Sequence, residues 1–113
     1  MMKGYDKQEA VVFICKRIDR KYHKELAEKI EALIPQIIDA DMAFMHATGV
    51  LDEEGNAGDN YYEDDDAFET MVETVVAQND LTPEQAVKVA SLVDDYMDYQ
   101  QEYLESKGLV EWD

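Results

Sequence analysis

One cysteine, two prolines and not a single lysine or arginine between Lys29 and Lys88 set the first limits on this chain of 113 residues. The lone Cys15 cannot close an internal disulfide, which excludes the disulfide-stapled scaffolds of small secreted proteins. The first twenty or so residues lack the apolar run of roughly 7 to 15 residues and the small-residue cleavage site of a secretory leader, so the expected compartment is the cytoplasm. No apolar stretch approaches the roughly 18 to 20 residues that span a bilayer, because charged residues, or Pro35 and Gln36, interrupt every candidate. Missing too are a glycine-rich phosphate loop, a Gly-x-Ser-x-Gly elbow and a Cys-x-x-Cys pair. The expectation is a protein that is not an enzyme and carries no cofactor.

What is abundant is negative charge. The chain holds 27 acidic and 10 basic residues, a formal net charge of -17. Residues 1 to 29 hold eight basic and five acidic residues (net +3), which leaves two basic and 22 acidic residues (net -20) to the remainder. Such a surface repels nucleic acid and anionic membrane and attracts basic partners. Hydrophobic residues still make up 46%, enough to build one core, and the length suits a single domain over 1–113.

The periodicity is helical throughout and no strand signal stands out, so the expected fold is all-α, an antiparallel bundle of three to four helices with one long acidic loop. The first helix should start at Asp6, whose spacing to Glu9 is that of a capping box. Val11, Cys15, Ile18, Tyr22, Leu26, Ile30 and Leu33 form its apolar stripe, with Arg17, Arg20, Lys21 and Lys24 opposite. This helix should run unbroken to Pro35, then stop or kink and continue through Ile37, Ile38, Met42 and Met45 to Gly49. Residues 50 to 62 carry turn chemistry in Gly55, Asn56, Gly58 and Asn60. A helix over about 63 to 79 follows, opened by a capping box at Asn60 and Glu63 or at Asp66 and Glu69, with Phe68, Met71, Val72, Val75 and Val76 on its apolar side. The last helix opens at Thr82, Pro83 and Gln85 and ends at Gly108, with Leu109 returning to Leu104. Its length resembles that of the first helix, which suggests that the two pack antiparallel. Trp112 argues for a docked tail.

Several constellations can be tested for chemistry. Asp52, Glu54, Asn56 and Glu63 stand at positions 1, 3, 5 and 12 of a calcium loop, but position 6 is Ala57 where the sharp turn needs glycine. Neither His23 nor His46 follows a glutamate by three residues, so a di-iron bundle motif is absent and no metal site is expected. Cys15 has Lys16 and Arg17 beside it, yet its place in the apolar stripe makes it a small core residue rather than a nucleophile.

The remaining candidates belong to a surface. On the last helix Asp94, Asp95, Asp98, Glu102 and Glu105 share about 100° of arc. Asp64, Asp65 and Asp66 open the helix before it. Tyr96, Tyr99 and Tyr103 lie on one apolar stripe that serves core packing or, if exposed, a partner or a homodimer. The expected function is a non-catalytic, acidic protein-interaction or regulatory module whose partner is another protein with a basic surface. The alternative is an inhibitor that imitates nucleic-acid charge, since carboxylates three and four apart on a helix are spaced about 5 to 6 Å, close to backbone phosphates.

Overall fold

A computed structural model describes residues 2–109, and it is all-helical. Among the described residues four helices, α1 (Lys7–Arg17), α2 (Ile30–Thr48), α3 (Asp64–Gln78) and α4 (Pro83–Ser106), surround one core. The described residues contain no strand; Leu51 and Ala57 make an isolated antiparallel bridge. No helix among the described residues is long and apolar enough to cross a membrane.

Helix α1 opens as expected, with the Asp6 carboxylate accepting from the Glu9 N–H at 3.1 Å. It does not run to Pro35. It stops at Arg17, and Ile18 turns extended. The cause is the next residue: the Asp19 carboxylate accepts from the N–H groups of Lys21 and Tyr22, a local turn that competes with helical bonding. Arg20 closes the resulting linker by donating to the Ala27 carbonyl at 2.9 Å and to Glu31 at 2.6 Å. A short 3-10 turn, Lys24–Leu26, leads into α2. The stripe therefore continues only in part, with Ile18 and Leu26 buried but Tyr22 67% exposed.

Pro35 lies inside α2, in its second turn, and breaks nothing. An interior proline costs about 3 kcal/mol through its missing donor and ring clash. Here Ile30, Leu33, Ile34, Ile37, Ile38, Met42 and Met45 are all buried along the same helix and outweigh that cost. The helix ends on Gly49 at φ +79°, a left-handed position that glycine adopts without penalty.

The loop between α2 and α3 is held by its own side chains. Asp52 accepts from the N–H groups of Glu54 and Asn56, both at 2.9 Å, and Asn60 donates to the Thr48 carbonyl at 2.6 Å. Helix α3 begins at Asp64 on neither expected capping box, because Glu63 occupies the cap without a side-chain bond. Asp64, Asp65 and Asp66 in its first turn complement the positive end of the helix dipole instead. Helix α4 has the full Thr82–Gln85 capping box, and Leu109 N–H returns to the Leu104 carbonyl at 2.9 Å past Gly108 at φ +68°. Trp112 lies outside the described residues.

Side-chain bonds fix the directions. Along the chain from Tyr5 through Glu9 and His23 to Glu25, the partners on α4 run backwards from Gln100 and Tyr103 through Asp95 to Gln85. Gln36 meets Asn79 and Asp41 meets Tyr62, so α2 and α3 are likewise antiparallel. Antiparallel packing is thus present, but α1 has only 11 residues against the 24 of α4, and the linker completes that side of the bundle.

Candidate functional site

Among the described residues three buried polar side chains decide where chemistry sits in this core: His23, Asp41 and Gln100. Sequence reading singled out none of the three as a site residue. Asp41 is 3% exposed on α2 between Ala40 and Met42. Its two oxygens accept from the hydroxyls of Tyr62 at 2.7 Å and Tyr96 at 2.8 Å. Burial pushes the Asp41 carboxyl above the usual carboxylate range, and the two tyrosine bonds pull against that shift. Burial and the Asp41 charge in turn push both tyrosine hydroxyls up. Gln100, 4% exposed, accepts at Oε1 from the Tyr5 hydroxyl at 2.8 Å, while its Nε2 has no hydrogen-bond partner among the described residues.

Asp41 and Gln100 both line a cavity of about 520 Å³ between α2, α3 and α4, within the usual size of a ligand pocket. Met45, Phe68, Met97 and Leu104 supply apolar wall. Asp64 and Asp65 line it from α3, and Asp94 and Asp98 line it from α4. Two acid groups some thirty residues apart in the chain are thereby brought to one opening. None of these four carboxylates has a lysine or arginine within 4 Å among the described residues, where the ion pairs formed by lysine and arginine are Lys7–Asp39, Arg17–Glu102, Arg20–Glu31 and Lys107–Glu9.

The rest of the acidic row is dispersed. Asp95 turns to His23, which donates from Nε2 across 2.6 Å and is itself 2% exposed. Glu102 faces Arg17 at 3.8 Å, and Glu105 accepts from Gln101 at 3.2 Å. Asp66 is exposed and does not line the cavity. Nor do the tyrosines form a surface patch. Tyr96 and Tyr103 are fully buried, since their hydroxyls find partners in the interior and at its edge: Asp41 for the first, the Asp6 carbonyl and Glu9 for the second. Tyr103 also meets Tyr5 and Phe13 edge-on. Tyr99 is half-buried against the core.

Cys15 is half-buried rather than part of the core, because α1 stops short and leaves it in a shallow groove with Lys16, Arg20 and Lys21. Burial still pushes its thiol up, against the pull of Arg20, which disfavours the reactive thiolate. In the loop after α2, the Oδ1 of Asp52 accepts from two backbone N–H groups. Among the described residues no three His, Cys, Asp or Glu side chains gather as a metal site. No protein family, curated protein or solved structure matches the chain.

The contrast between neighbouring acids can be measured. Asp95→Ala removes the acceptor of a buried imidazole and is expected to cost about 1 to 3 kcal/mol in denaturant unfolding. Asp94→Ala, one residue away and exposed, should stay within about 0.5 kcal/mol. Equal effects of the two would contradict the assigned role of the His23–Asp95 bond.

Proposed function

We propose that this protein is a non-catalytic interaction module that receives a basic segment of a partner protein in the acid-lipped cleft between α3 and α4. The observation that carries this reading is the convergence of Asp64, Asp65, Asp94 and Asp98 on one apolar-walled cavity. Four carboxylates at one opening, in a chain of formal net charge -17, raise the local concentration of cations and steer them inward. Apolar walls below then favour a side chain with a long aliphatic stem, which buries methylenes while its charge stays near the lip. A globular partner needs no deep insertion; one basic strand or helix end is sufficient.

The test is calorimetric titration with a short peptide of lysine and arginine at about 50 and 200 mM salt. Binding should weaken with salt yet persist, because the aliphatic contacts are not screened. Loss of all binding at the higher salt would remove the apolar cleft from the account.

Imitation of nucleic-acid charge is the second reading, favoured by the placement of two acid groups around one opening. It draws on an uninterrupted row, and Asp95 and Glu102 are tied back to His23 and Arg17. Competition by DNA for a captured partner would promote it.

A further inference from the structure

We propose that one lysine of the docked segment inserts head-first into this cleft and that its ammonium takes Asp41 as counter-charge. This rests on the docking reading above and deepens it, because it separates the residue that enters from the basic residues that stay at the lip. The lip carboxylates of Asp64, Asp65, Asp94 and Asp98 act on any nearby cation and select no particular one. Asp41 is different. It lines the same cavity, is buried, and takes part in no ion pair among the described residues. The groups that act on it are Tyr62 ahead of α3, Asp64 on α3, Tyr96 on α4 and Tyr5 ahead of α1, and none of them carries positive charge. Folded proteins pair a buried carboxylate with a cation or neutralise it, since desolvation of a lone charge is costly.

The tyrosine bonds leave room for such a partner. Each Asp41 oxygen accepts from one hydroxyl, and a carboxylate offers about four acceptor positions in all. Because folding has already stripped water from Asp41, an arriving cation meets a desolvated counter-charge and bears only its own dehydration. Met45, Phe68, Met97 and Leu104 can cover the four methylenes of a lysine, and its compact ammonium needs one open acceptor position. The planar fork of arginine is best met by two oxygens side by side, and here each oxygen already holds a tyrosine hydroxyl. The unbranched side chains of Met2 and Met97, which also line the cavity, can shift to admit the head group.

Two arginine-flanked peptides of equal charge decide the matter: one has lysine at its centre, the other has norleucine there and one further arginine at its end. Equal charge cancels the pull of the lip, so the difference between them reads the base of the cleft. The lysine peptide should bind wild-type protein about tenfold tighter, the equivalent of one charge-assisted hydrogen bond. Asp41→Asn should bring its affinity down to that of the norleucine peptide. Should that variant fail to fold, wild-type protein gives the same reading against pH: an ammonium favours the ionised carboxylate, so the difference should shrink as pH falls and Asp41 takes up its proton, whereas the lip acids affect both peptides alike. Changing the four lip acids to Asn should weaken both peptides and keep the difference. Equal affinity of the two peptides for wild-type protein would overturn the inference and leave the docking reading standing; absence of binding by both at low salt would overturn both. If 1,5-diaminopentane alone bound as tightly as the lysine peptide, a free amine would be the occupant and the lysine of a partner segment would be ruled out.

Discussion

Asp41→Ala is expected to cost on the order of 2 to 5 kcal/mol of stability, read from denaturant unfolding at pH 7. The substitution leaves the fully buried Tyr96 hydroxyl and the half-buried Tyr62 hydroxyl without acceptors, at about 1 to 3 kcal/mol each, offset in part by release of a desolvated carboxyl. Asp41→Asn keeps one acceptor oxygen and should cost less. Its pH profile is the sharper signature. Because burial raises the folded-state value of Asp41 above the ordinary 3.8, the native state holds this proton more tightly than the unfolded chain. Its contribution to stability is thus fully present below about pH 4 and is lost as pH rises through the folded value. The difference in stability between wild type and Asp41→Asn should therefore shift against the wild type as pH rises from 4 toward neutrality. A pH-independent difference would mean that Asp41 titrates alike in both states.

Neutralising the cleft, with Asp64, Asp65, Asp94 and Asp98 all changed to Asn, is expected to weaken binding of a basic peptide by roughly 10- to 100-fold at about 50 mM salt. Each exposed carboxylate contributes about 0.2 to 1 kcal/mol to a cation held beside it, and four act together. The loss should fall mainly on the association rate and should shrink as salt is added. Stability should change by no more than about 1 to 2 kcal/mol: these carboxylates make no ion pair with lysine or arginine among the described residues, and the like-charge repulsion relieved at one opening offsets the loss of Asp64 and Asp65 from the positive end of the α3 dipole, about 0.3 to 1 kcal/mol each. A control with Asp52, Glu53, Glu54 and Asp59 neutralised keeps the same net charge but leaves the cleft intact. Equal weakening by both sets would assign the binding to overall charge, and the cleft would lose its role.

Much of the architecture is written locally. Thr82, Pro83 and Gln85 satisfy one helix start with bonds that span three residues, and Gly108 with Leu109 satisfies its end in the same way. Asp6 does the same for α1. The break after Arg17 escaped the periodicity because Ile18, Leu26 and Ile30 keep helical spacing across a linker that is not a helix. The signal that could have found it was Asp19, a residue whose short side chain competes for backbone donors, in place among long charged neighbours. Pro35 drew attention to the wrong place, since its local cost is outweighed by burial that only packing reveals.

The acidic surface could be listed from the sequence but not sorted. Helical angle placed Asp94, Asp95 and Asp98 on one arc, yet two of them face the cavity and the third bonds His23, 72 residues away. Asp41 and Gln100 gave no sign of their role, because an acid or amide amid apolar residues looks the same whether it reaches solvent or a tyrosine on another helix. The sequence by itself determined helix content, most helix ends, the charge asymmetry and the means of a single core, since these depend on neighbours within about four positions and on composition. Tertiary structure alone decided which polar groups were taken out of water and which carboxylates stand together: pairings such as Asp41 with Tyr96 and Tyr5 with Gln100 join residues 55 and 95 apart. Such contacts leave no period in the chain because the helices that carry them are brought together by their apolar faces, which specify a packing partner but not its polar detail.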